Sequence, residues 1–334
     1  MTDDGPARDA PRSPSATASL AGTLGGLDPA YFGLVMSTGI VAIAFDGLGV
    51  GAVSWPLTVF NVGCYALLVV LFSLKVVLFP GEVVADLRDR QRHWGTLTFV
   101  VATNTVGVQF LQSGATVLAV ILWLTAVVVT PPLLYYLFFT EFVGTRKAAI
   151  SERIDGAFLL TVVCLQSLAV LGGTLSAEFP AYGSALVLSS MGYFGAGYVL
   201  YFVVVTVVTY RLLEGGVRPD DWTGPYWITM GAAAITTLAG TTLGPQLEGV
   251  AAWSPYAPVV VGLTFLAWTI ASWWIPLLLV VAVWTFLASG IDGRPPGWVV
   301  FVPWSRLALG RRLHVYDRRR GDGCSRWGCT LPVR

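Results

Sequence analysis

Val117-Leu118-Ala119-Val120-Ile121-Leu122-Trp123-Leu124, with Val127-Val128-Val129 and Leu133-Leu134 following, belongs to a stretch from 115 to 140 that contains no charged residue. About 20 consecutive apolar residues suffice for a helix to cross a hydrocarbon core of about 30 Å. A run this long with nothing that seeks water identifies its solvent as lipid. In lipid the backbone must satisfy its own hydrogen bonds, so the run is a helix.

Seven further apolar runs follow the same logic, at 30–48, 54–79, 95–112, 156–175, 183–212, 224–243 and 255–290, which gives eight expected spans. The last is long, but no turn residue divides it, so it reads as one helix bent at Pro276. Composition agrees: 55% of the 334 residues are hydrophobic and 12% charged, where a soluble domain carries roughly a quarter charged residues. The net charge of +1 leaves no basic field for nucleic acid, which is therefore not an expected partner.

Loop charges orient the runs. Arg88, Arg90, Arg92 and His93 follow the second run, Arg146, Lys147 and Arg153 the fourth, and Arg211 and Arg218 the sixth. The loops after the first, third, fifth and seventh runs hold Asp46, Glu178 and Glu248 but no Lys or Arg. Cationic loops stay in the cytoplasm, which predicts a cytoplasmic N-terminus in a multi-pass protein of the cell membrane. Residues 1–28 are rich in Ser, Ala, Pro, Gly and Asp and read as a disordered cytoplasmic lead, not a signal peptide. Cys64 and Cys164 lie in apolar runs and read as small hydrophobes; Cys324 and Cys329 are not spaced as a metal site.

The runs fall into two classes. The odd ones carry small and polar residues: Ser37 and Thr38 in the first, Thr103-Asn104-Thr105 in the third, Gln166-Ser167 in the fifth, Thr236-Thr237 in the seventh. The even ones are bulky and apolar, as in Tyr135-Tyr136-Leu137-Phe138-Phe139. Bulky side chains suit lipid; small and hydroxylated ones suit close helix contact or a wetted cavity. The pattern predicts helical hairpins, each with an inner and an outer helix, and a central path lined by Ser37, Thr38, Thr103, Asn104, Gln166, Ser167, Thr236 and Thr237. Each of these residues alone also fits an inter-helix hydrogen bond. No Lys, Arg, His, Asp or Glu sits mid-run in the odd class. A cation path or proton relay keeps such a group, whereas hydroxyl and amide dipoles hold an anion weakly. His93 and His314 lie outside the runs, and no HExxH, GxSxG or carboxylate pair occurs, so an enzyme, cofactor or metal is not expected.

Pro29-Ala30-Tyr31-Phe32-Gly33-Leu34-Val35-Met36-Ser37-Thr38-Gly39 resembles the opening helix of the tellurite-resistance/dicarboxylate transporter family, which includes slow-type anion channels, malate permeases and sulfite exporters. The stretch 99–110 resembles that family's third helix, Trp227 to Ile235 its seventh, and Trp268, Trp273, Trp274, Ile275 and Pro276 its eighth. The resemblance implies an all-α membrane protein of ten helices in five hairpins around a central pore. It also implies a trimer of separate pores and transport of inorganic anions or C4-dicarboxylates such as malate. Proton-coupled uptake and tellurite or sulfite efflux are the alternatives, with Asp155 the one titratable group near a helix mouth. In the family a phenylalanine before proline on the ninth helix plugs the pore. Phe301 is the tentative match, one residue farther from Pro303 than the pattern asks.

The sequence then departs. The bundle is expected over 29–291, and 292–334 is Arg-rich, holding half of all the arginines. Where the family continues apolar, Arg311, Arg312, Arg318, Arg319 and Arg320 stand, each costly in lipid. The tail reads as a frameshifted or otherwise divergent end after a partial ninth helix, with a basic cytoplasmic tail near anionic lipid as the other reading. A truncated, inactive family member is the corresponding functional alternative.

Overall fold

A computed structural model describes residues 22–89, 92–143, 156–215 and 224–288. The long helices fall on the apolar runs: α1 (Phe32–Gly47), α2 (Gly51–Leu78), α4 (Leu97–Gln112), α5 (Thr116–Val143), α6 (Leu160–Glu178), α7 (Gly183–Gly215), α8 (Ile228–Glu248) and α9 (Ala257–Ala288). Between α2 and α4 lies a short helix that the apolar runs do not predict, α3 (Pro80–Arg88). No strand occurs among the described residues. Helix α9 continues through Pro276 as one element.

Each odd run packs against the run that follows, giving the hairpins α1/α2, α4/α5, α6/α7 and α8/α9. Two hairpins turn on a glycine in the left-handed region, Gly49 at φ 72° and Gly114 at φ 82°. The conformation is costly for any residue with a Cβ. It lets Val50 N donate to Phe45 O and Ala115 N to Phe110 O, both across five residues, satisfying carbonyls that each helix end would leave open.

The outer helix α2 is turned inside out relative to a soluble protein. In α2 the buried residues are polar (Ser54, Asn61 and Lys75), while Trp55 is 70% and Val77 75% exposed. That distribution is stable only in an apolar solvent. The inner helices α1, α4, α6 and α8 pack in that order, each on the next, and no comparable packing joins α8 back to α1 among the described residues. Among the described residues they form an open arc.

Six segments are long and apolar enough to cross a bilayer: Pro29–Gly47, Gly51–Leu78, Thr116–Val143, Gly156–Glu178, Gly183–Glu214 and Ser254–Thr285. Two inner helices fall outside that set. α4 has 16 residues and buries Thr98, Thr103, Asn104, Thr105 and Gln109; α8 buries Thr229, Thr236, Gly240 and Gly244. A helix screened by protein can be this polar because lipid does not reach its side chains.

Each inner helix is entered through a 3-10 turn: Pro29–Tyr31, His93–Thr96, Gly156–Leu159 and Gly224–Trp227. Consecutive turns touch and build a collar at one end of the bundle. Asp28 Oδ1 accepts from Ala30 N and caps the first turn (2.9 Å). Thr98 Oγ1 reaches Pro29 O at 3.0 Å, tying the second turn to the first. A Cβ on Gly156 would strike the Pro225 carbonyl, so only glycine lets the third and fourth turns meet. Trp94 packs on Phe158 with ring centroids 4.2 Å apart.

A polar cleft between the inner helices

Four helices contribute to one cleft of about 140 Å³. Ile40 and Ile43 come from α1, Asn104, Thr105, Val108 and Gln112 from α4, Ser167, Val170 and Thr174 from α6, and Ile235, Leu238 and Thr242 from α8. The spacing follows the helix period: Val108 and Gln112 lie four and eight residues after Asn104, and Thr174 lies seven after Ser167. No charged side chain lines it.

The polar atoms of the wall are arranged by local chemistry. Asn104 Nδ2 donates to Ser167 Oγ at 2.9 Å, and Ser167 Oγ donates to Cys164 O at 2.7 Å. Asn104 Oδ1 has no partner. Thr105 donates to Val101 O at 2.8 Å, Thr174 to Val170 O at 2.8 Å and Thr242 to Ala239 O at 2.9 Å. Every hydroxyl on the wall thus lends its proton to its own helix. An anion in the cleft would draw these protons by rotation about a single Cβ–O bond, exchanging a bent back-bond for a charge-assisted one.

The other expected path residues sit elsewhere. Thr103 turns toward α2, where its Oγ1 lies 2.9 Å from Tyr65 Oη. Gln166 Nε2 donates to Phe194 O of α7 at 3.1 Å, filling the space left by Gly197. Thr236 is buried and donates to Ala232 O at 2.7 Å; Thr237 donates to Ala233 O at 3.0 Å. Ser37 is exposed and Thr38 half-buried. Phe301 lies outside the described residues. Thr105, Gln112, Thr174 and Thr242 line the cleft without being among the path residues expected from the sequence. Stepping four and eight residues along α4 from Asn104, and seven along α6 from Ser167, is the signal that finds Gln112 and Thr174.

A second polar pair lies behind the cleft, where Asn61 Nδ2 of α2 donates to Gln109 Oε1 of α4 at 2.9 Å. It fits against Gly39, where a Cβ would meet Asn61 Nδ2 at 2.6 Å. A larger groove, about 460 Å³, runs between α7 and α9 beside Tyr201, Thr206, Trp273 and Trp274. It touches only two helices, both outer, and its wall is mostly aromatic and aliphatic. Its size therefore reflects a surface that lipid covers, not a path.

Ionised groups gather at the collar end. Fully buried Lys75 donates to Asp86 Oδ2 and to Leu27 O at 2.7 Å. Arg92 reaches Asp86 Oδ1 at 2.7 Å and Asp28 Oδ2 at 3.6 Å. Burial alone would lower the Arg92 pKa; the Asp86 hydrogen bond and the charges of Asp28, Asp86 and Asp89 outweigh it and raise the value. His93 Nε2 stands 3.9 Å from Glu141 Oε1. No group of His, Cys, Asp and Glu among the described residues is arranged to hold a metal ion.

Known proteins resemble this chain over different lengths. An uncharacterized membrane protein of Mycobacterium tuberculosis is 33% identical over 117 residues, 33% of this chain and 57% of that protein. The chain thus spans little more than half the length of that relative. Two uncharacterized transporters of Methanocaldococcus jannaschii align more fully, at 20% identity over 83% of this chain and 81% of the relative, and at 21% over 82% and 80%. The family model described as voltage-dependent anion channel matches residues 26–312. That match takes in every hairpin and the motifs of the first, third, seventh and eighth runs, and the chain belongs to the voltage-dependent anion channel family, as a multi-pass membrane protein.

Proposed function

We propose that this chain passes small anions across the cell membrane through the cleft between α1, α4, α6 and α8, with all eight long helices crossing the bilayer. The observation that carries the reading is the convergence of four inner helices on one uncharged cleft, walled by amide and hydroxyl side chains interleaved with aliphatic ones. The substrates are inorganic anions or C4-dicarboxylates such as malate. Donors that are weak, numerous and already occupied bind an anion loosely, which is what passage requires. The N-terminus and collar face the cytoplasm, because Arg88, Arg92 and Arg211 lie in or beside the connections at the collar end. By family resemblance the protein works as a homotrimer of separate paths.

A second reading is an inactive member of the family, favoured by the open side that the described residues leave between α8 and α1.

Flux from proteoliposomes, compared for chloride, nitrate, sulfite and malate, separates the two. Asn104→Leu is expected to lower anion flux about tenfold, equivalent to about 1.4 kcal/mol of barrier, while Thr103→Val leaves it unchanged. No flux for any of the four anions supports the inactive reading. Equal flux in both variants removes the cleft from the path. Flux that persists without a pH gradient argues against proton coupling.

A further inference from the structure

Asn104 lines the cleft and is only 1% exposed, yet half of its amide is unused. Its Nδ2 donates to Ser167 Oγ at 2.9 Å, while its Oδ1 has no partner among the described residues. Ser167 dictates which half is used. A serine hydroxyl has one proton to give, and that of Ser167 goes to Cys164 O, three residues back on α6, at 2.7 Å. The oxygen that Ser167 turns toward Asn104 can therefore only accept. The amide meets it with its NH2 and leaves the carbonyl without a donor. The opposite orientation would require Ser167 to release Cys164 O.

A buried acceptor without a donor is costly, and this one stands on the wall of the cleft. Its demand is the reverse of its neighbours'. Thr105, Thr174 and Thr242 each hold a proton on their own helix that rotation can turn to a negative oxygen. Asn104 Oδ1 repels a halide or a bare anion oxygen and accepts from an O–H. Between these polar atoms stand Ile40, Ile43, Ile235 and Leu238, an apolar surface that suits a carbon skeleton. Chloride and nitrate bring neither a proton nor carbon. A carboxylic acid has lost its proton at neutral pH, whereas an alcohol hydroxyl keeps its own.

We propose that Ser167 is a positioning residue for selectivity: by holding Asn104 with its carbonyl free, it makes the cleft prefer an organic anion that carries a hydroxyl to the same anion without one. The proposal rests on the cleft being the anion path. The hydroxyl donates to Asn104 Oδ1 while the carboxylate oxygens accept from the threonines. A site built to bond a hydroxyl discriminates against the analogue that lacks it, because the site's own buried polar atom is then left unpaired.

Malate and succinate make the test, being the same dicarboxylate with and without one hydroxyl. With the full chain in proteoliposomes at slightly alkaline pH, where both are dianions, malate should pass about tenfold faster. Ser167→Ala frees Nδ2 to turn toward the anion, and the ratio should fall to within about twofold through faster succinate. A residue that only packs would slow both solutes and leave their ratio alone, and Thr103→Val should keep the ratio. In detergent, malate should raise the melting temperature more than succinate does, and Asn104→Leu should remove that difference. Equal passage of the two solutes through the unaltered chain, or a preference that survives Ser167→Ala, would overturn the proposal. Passage of chloride or nitrate without malate would overturn it and leave the anion reading standing. If no anion passes, the anion reading fails, and melting decides the recognition alone: a malate-specific shift that needs Asn104 upholds it, and equal shifts overturn it.

Discussion

Helix α6 and helix α1 have the same job in the hairpin pattern and opposite surroundings. The most apolar window of the segment Gly156–Glu178 is 89% buried, against 28% for Pro29–Gly47. α6 is enclosed by α4, α8, α7 and α5, whereas among the described residues α1 packs mainly on α2 and α4. The same composition of glycine, serine and threonine therefore does different work. At the centre, each small residue is matched to a particular partner: Gly172 faces Ser190 and Trp123, and a Cβ there would come within 2.6 Å of Ser190 Oγ. At the edge, a Cβ on Gly33 or Gly231 would meet nothing within 4 Å. Centre positions define the bundle; edge positions leave room for a side chain among the described residues.

Substitutions sharpen that contrast. The largest effect is expected from Gly156→Leu, whose side chain would have to displace the Pro225 backbone at the collar. Loss of about 3 kcal/mol or more should appear as loss of the monodisperse folded species in detergent. Lys75→Met comes next. It removes the ammonium between Asp86 and Leu27 O, and breaking a buried pair costs about 3 kcal/mol, less here because Arg92 still holds Asp86. Thermal melting in detergent reads it. Gln166→Leu takes a donor from Phe194 O and should cost about 1 kcal/mol without altering anion flux, in contrast to Asn104→Leu. A paired glycine substitution separates centre from edge. Gly231→Ala, in open space on α8, should stabilise by about 0.5–1 kcal/mol, while Gly172→Ala on α6 should destabilise by about 1–3 kcal/mol. Equal shifts in both would erase the difference between centre and edge.

The hairpins were legible because lipid imposes one length and one secondary structure on each run. The run 183–212 is α7 to within three residues at its end, and 255–290 is one helix in spite of Pro276. The collar was not legible, because its turns are only three or four residues long and carry no periodicity. Nor was the role of Lys75. In sequence it is a cation inside an apolar run, and only folding brings Asp86, eleven residues on, to meet it. The division of the polar residues had a related cause. Small residues surround both Asn104 and Gln166, so composition did not say which faces the cleft; the glycine that draws Gln166 outward, Gly197, belongs to another helix. The period of α4 and α6, taken from Asn104 and Ser167, would have found Gln112 and Thr174.

Whether anions travel between the inner helices is decided by blocking the two grooves in turn. Thr174→Cys or Thr242→Cys places a thiol on the cleft wall, and Thr206→Cys places one in the groove between α7 and α9. Each is made in a background whose natural cysteines are replaced. A bulky thiol reagent should abolish anion flux through the first two proteins and leave the third unaffected. Flux that survives labelling of Thr174→Cys and Thr242→Cys, or that stops on labelling Thr206→Cys, would contradict the account.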